Sequence, residues 1–165
     1  MTLGTSLATF TFLHVFISLV GIASGLAVLY GLLSGKRMDG LTAVFLITTA
    51  LTSISGFGFP FDHLLPSHRV GIISLVLLAV AIPARYVFRL AGPWRIGYVV
   101  PACLALYLNC FVLVVQLFLK VPAIHALAPT QKEPPFLVAQ LALLVVFIGL
   151  TTLAARRFRG TFALA

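Results

Sequence analysis

Acid is almost missing from this chain. Asp39, Asp62 and Glu133 are its only acidic side chains, and none falls in the middle of an apolar run. That argues against a proton-driven carrier built on a buried carboxylate relay. Cysteine is as scarce. Cys103 and Cys110 are the only two, and two helical turns hold them roughly 10 Å apart, too far for a disulfide. No CxxC pair or cysteine framework is present. HExxH, Walker A and GxSxG with partners are absent, as are an arginine ladder and a pore-filter sequence. No repeat of the inverted-repeat transporter kind is visible. The first apolar run is longer than a signal-peptide core and has no basic region before it, so it is expected to be retained as a span.

What fills the chain instead is apolar. Hydrophobic residues make up 61% of it and charged residues 8%, with a mean hydropathy of +1.17. A soluble domain carries roughly 25% charged residues. A membrane-integral chain is therefore expected. The net charge of +8 does not point to nucleic acid, because the cations flank apolar spans and do not line one face. They are topology signals and contacts for anionic lipid.

Eight of the eleven cations fall in three clusters, with two apolar stretches between each cluster and the next. The clusters are Lys36 with Arg37, Arg85 with Arg89 and Arg95, and Arg156 with Arg157 and Arg159. Arg69, Lys120 and Lys132 lie on the opposite side. This alternation predicts an all-α, polytopic membrane helix bundle of five spans, about 7–33, 41–56, 69–87, 96–119 and 136–154, forming one membrane domain over 1–165. The positive-inside rule puts the amino terminus outside and the carboxyl terminus in the cytoplasm. Pro83 is expected to bend span three, and Trp94 to anchor at an interface.

The second span is short, roughly 24 Å before Gly56 against a core of ~30 Å. The following segment, GFGFPFDHLLPSH, is too apolar for an ordinary loop. Phe57, Phe59, Phe61, Leu64 and Leu65 are expected at the outer leaflet, either packed on helices around a cavity or as an aromatic belt. Pro122 predicts a short interfacial helix ending before Pro129. Thr130 with Glu133 matches a capping box for span five.

All four histidines map to the side opposite the basic clusters. His14 lies roughly 10 Å into span one. His63 and His68 fall between spans two and three, and His125 between spans four and five. His68 follows Ser67, a good N-cap, which sets it in the first turn of span three. His14, Ser18, Gly21 and Gly25 share one helix face. That face offers a groove beside an imidazole, which suits either an axially ligated macrocycle or close helix packing through small residues. Thr48, Thr49, Thr52, Ser53 and Ser55 form a hydroxyl band on span two, read as interhelix packing or as a cavity lining. Asn109, Gln116 and Lys120 share one face of span four. The amides are expected to face the bundle interior, bonding another helix or a quinone carbonyl. Tyr107, Cys103 and Cys110 are expected to pack beside them.

The segments LTSISGFGFPF (51–61), LPSHRVGIISL (65–75) and YLNCFVLVVQLFLKVPAIHALAPTQKEPPF (107–136) resemble an uncharacterised family of short bacterial multi-pass inner-membrane proteins. The resemblance implies the bacterial cytoplasmic membrane but supplies no activity. A second likeness, to transmembrane b-type cytochromes, is carried by histidine placement alone, and the spacing does not match a paired two-haem pattern. Two functional expectations follow. In the first, His14 and His68 ligate a b-type haem as its metal ligands, or contact a quinone. Gly21 and Gly25 then give clearance, and Asn109 and Gln116 give polar contacts. In the second, the chain is a non-enzymatic accessory or scaffold subunit, or a small permeation protein, and these residues lock helices together. The bilayer is the expected partner, with a homo-oligomer or other membrane subunits beside it.

Overall fold

The computed structural model describes residues 6–59 and 66–159. It is all-helical, and no strand occurs among the described residues. Five helices are long and apolar enough to cross a membrane. They are α1 (Leu7–Leu33), α2 (Asp39–Ser55), α3 (Pro66–Tyr86), α4 (Trp94–Lys120) and α6 (Pro134–Arg157), and a short α5 (Pro122–His125) joins α4 to α6. One turn of 3-10 helix, Gly56–Gly58, extends α2. The five spans match the expected ones within a few residues.

Local chemistry sets most of the ends. Ser6 accepts a hydrogen bond from the Thr9 amide at 3.2 Å and caps α1. Gly35, at φ +68°, closes the other end of α1 in the left-handed conformation. The Lys36 amide then returns to the Gly31 carbonyl at 2.8 Å. α3 begins at Pro66, three residues before the expected start, so Ser67 lies inside the helix. α5 starts at Pro122 as expected. The capping box is displaced. Glu133 is itself the N-cap of α6, and Pro134 follows in the first turn, where a missing amide hydrogen costs nothing. The Glu133 carboxylate instead accepts from the Thr130 hydroxyl at 2.9 Å and from the Lys132 amide at 3.0 Å. It closes a turn before the helix.

Each helix packs mainly on its chain neighbour, and α1 also touches α4 and α6. The helices run alternately up and down, because successive ends meet. Ser55 reaches His14 at one end. At the other, Arg85 reaches Asp39, and Arg95 reaches the carbonyls of Ala155 and Phe158. The second end carries all three basic clusters, and we call it the basic end.

The core is not centred. Val28, Leu29 and Leu32 of α1, Phe45 and Leu46 of α2, Leu78, Ala81 and Ala84 of α3, Tyr98, Val99, Ala102, Cys103, Ala105 and Leu106 of α4, and Ala154 with Phe158 belong to one buried cluster. Most of the cluster lies in the half of the bundle nearer the basic end, although Cys110 of α4 belongs to the other half. In lipid, apolar burial gives little drive for helix association, so packing and hydrogen bonds carry it. Ala81, Ala84, Ala102 and Ala105 are fully or almost fully buried, and their size allows that close approach. α6 is the least buried of the five spans, with Leu141, Val145 and Ile148 among its exposed side chains.

Candidate functional site

The histidine end is built around the last turn of α2. His14 enters from α1, half-buried, and its Nδ1 shares a hydrogen bond with the Ser55 hydroxyl at 2.8 Å. Phe59 sets its ring edge-on against the same imidazole, with centroids 5.1 Å apart, and lies 4.9 Å from Phe10. One turn further in, the Ser18 hydroxyl donates to the His14 carbonyl at 2.7 Å and lies 3.3 Å from the Thr52 hydroxyl. His68 arrives from α3. It is 3% exposed and stacks on Phe57 with centroids 5.2 Å apart. The two imidazoles thus pack against one short segment, Ser55–Phe59. The apolar stretch after Gly56 packs on helices through Phe57 and Phe59. Phe61, His63, Leu64 and Leu65 lie outside the described residues.

The glycine groove is filled by protein. A Cβ at Gly25 would lie 2.6 Å from Leu106 Cδ1 and 2.8 Å from Phe45 Cδ2. One at Gly21 would lie 3.1 Å from the Thr48 hydroxyl oxygen. Both glycines therefore serve close approach of α2, and at Gly25 also of α4. They do not leave clearance for a macrocycle, because the neighbouring side chains already occupy that space.

Asn109 behaves as an interior amide, and its Nδ2 donates to the Thr49 hydroxyl at 3.0 Å. Thr49 is fully buried. Gln116 does not face the interior as expected. It and Lys120 are exposed, while Phe118 between them is buried, so at that depth α4 is covered on a different face. Two other amides join the outer half of α4 to the end of the chain. Gln131 Nε2 donates to the Val115 carbonyl at 3.0 Å, and Gln140 Nε2 to the Phe111 carbonyl at 3.3 Å. His125 donates within its own connection, from Nδ1 to the Phe118 carbonyl at 2.9 Å. Cys103 and Cys110 are buried free thiols. Among the described residues, no three of His, Cys, Asp and Glu gather as a metal site would require.

The sequence hides two arginine roles. Arg85 reads as a topology signal, yet its side chain is only 3% exposed. It pairs with the Asp39 carboxylate, itself 68% exposed, and lies 5.0 Å above the Tyr98 ring. Asp39 also meets Arg37 at 3.2 Å. One carboxylate therefore ties the α1–α2 turn to the end of α3. Arg95 answers the terminal carbonyls of α6. Trp94 stacks flat on Phe88, with centroids 3.8 Å apart.

No protein family, curated protein or solved structure matches this chain.

Proposed function

We propose that this chain is a non-enzymatic accessory or scaffold subunit of a bacterial cytoplasmic membrane. Its amino terminus faces outside and its basic end faces the cytoplasm. One observation carries the reading. His14, Ser18 and Asn109, the intramembrane polar residues with most scope for ligand chemistry, all turn to α2, at Ser55, Thr52 and Thr49. The small residues beside them are closed by Thr48, Phe45 and Leu106. A polar group in lipid is costly unless partnered, and helix joining meets that cost without a ligand. The outward side of α6 is then the surface that meets lipid or a further membrane subunit. The cation count supports the orientation.

A redox-type cofactor site for haem or quinone is the second reading. What favours it is that His14 and His68 pack on the same segment, Ser55–Phe59. Absorption and mass spectrometry of protein extracted in mild detergent distinguish the two. The scaffold reading expects no Soret band, no quinone and no stoichiometric metal, with His14→Ala lowering stability alone. A chromophore lost in both His14→Ala and His68→Ala, with folding intact, would overturn it.

A further inference from the structure

At the basic end, the close of α1 and the close of α6 frame a cleft of about 490 Å³. Leu33, Ser34 and Gly35 form one wall, and Arg156, Arg157 and Arg159 the other. We propose that this cleft binds the phosphate headgroup of an anionic phospholipid.

The backbone that carries the arginines is held in place more firmly than topology alone requires. A topology signal needs only the correct side of the membrane. Here Phe158 is buried and packs on Tyr98, and Arg95 bonds the carbonyls of Ala155 and Phe158. The backbone turns extended at Phe158, where the helix ends, so Arg157 and Arg159 flank that buried anchor. Both are exposed, as is Arg156. Arg95 already answers the terminal carbonyls of α6, which leaves these three guanidinium groups free of that task.

Among the described residues, their charge has no protein counterpart in the cleft. Among the described residues the carboxylates are Asp39 and Glu133. Asp39 is engaged by Arg37 and Arg85, and Glu133 lies at the other end of α6. The facing wall is also open. Gly35 presents no side chain, and the α1 turn satisfies its own backbone through Lys36 and Gly31. Leu33, the last residue of α1, supplies the apolar floor, where a phospholipid's acyl chains continue into the bilayer. Guanidinium forks suit phosphate oxygens in a way an ammonium does not, and basic pockets between helix ends are where lipid phosphates settle.

The test measures lipid adducts on the intact protein by native mass spectrometry. The protein is titrated with phosphatidylglycerol, phosphatidylcholine or inorganic phosphate. We expect retained phosphatidylglycerol at least tenfold above phosphatidylcholine, with inorganic phosphate failing to displace it. Replacing Arg156, Arg157 and Arg159 together with lysine keeps the charge count and hence the topology. That variant should retain phosphatidylglycerol at least fivefold more weakly. Lys120→Gln with Lys132→Gln, at the other end, should leave retention unchanged. Equal retention by the triple-lysine variant would reduce the effect to diffuse attraction and overturn the proposal. Displacement by inorganic phosphate would also overturn it, by making the cleft a soluble-anion site.

Discussion

Replacing Gly25 with alanine drives a methyl group into a closed contact. The new carbon would lie 2.6 Å from Leu106 Cδ1 and 2.8 and 2.9 Å from two carbons of the Phe45 ring. Carbon pairs prefer ~3.5–4.0 Å, so one or both neighbours must retreat by roughly 1 Å. Phe45 and Leu106 are each 1% exposed, so neither can retreat toward the surface without displacing its neighbours. Overpacking of this kind costs about 1–3 kcal/mol. The gain in helix propensity from glycine to alanine returns only about 0.5–1 kcal/mol. A net loss of up to about 2.5 kcal/mol follows, and about 1.4 kcal/mol is a tenfold change in the folded-to-unfolded ratio. The assay is reversible unfolding in mixed micelles, with Gly149→Ala as the internal reference. Nothing lies within 4 Å of a Cβ at Gly149, so that variant gains the propensity term alone. Gly21→Ala should fall between them, since Thr48 needs to yield by only a few tenths of an ångström. Gly25→Ala matching or exceeding Gly149→Ala in stability would refute the packing account of the groove.

Three other outcomes follow from the same contacts. In a double-mutant cycle between Asn109→Ala and Thr49→Val, unfolding should report a coupling of about 0.5–1.7 kcal/mol, the range of hydrogen bonds inside membranes. Asp39→Asn leaves the buried Arg85 guanidinium without its carboxylate. It should lower stability by roughly 1–3 kcal/mol, at the low end because Asp39 is exposed and screened, and Arg37→Gln should cost less. Desolvation pulls the Glu133 carboxyl upward, but hydrogen bonds from the Thr130 hydroxyl and from backbone amides, including those of Thr130 and Lys132, together outweigh it and hold the group below its ordinary range. With a depressed folded-state pKa, its contribution is complete above the ordinary carboxylate range and is lost as pH falls through the lower folded value. Hydrogen exchange at the Thr130 and Lys132 amides should quicken over that acidic window, after correction for intrinsic rates. In Glu133→Gln the window should be absent.

The spans were legible because an unbroken apolar run needs no tertiary information, and α1 begins and ends at the expected residues. Gly56 marked the end of α2 for the same local reason. Two of the ends that moved did so under prolines: Pro66 starts α3 early, and Pro134 makes Glu133 the cap of α6. α2 starting at Asp39 and α6 running on to Arg157 are shifts without one. Asn109 was legible as an interior amide because it lies at the depth where α4 meets α2. Gln116 shares its helix face, but at its depth the neighbours cover the face that carries Phe118 instead, and periodicity carries no information about which face a neighbour covers at each level. The fate of the glycine groove was closed to sequence reading. A run of small residues looks the same whether a ligand or Phe45 and Leu106 fill it. The partners of Arg85 and Arg95 were hidden for a related reason: the positive-inside rule uses the side of the membrane a cation occupies, not its partner.

The central claim is that His14 serves to join helices. A double-mutant cycle between His14→Phe and Ser55→Ala, read by unfolding in micelles, tests it most directly. The account predicts a coupling of about 0.5–1.5 kcal/mol. Zero coupling, with both single variants as stable as the parent, would contradict it.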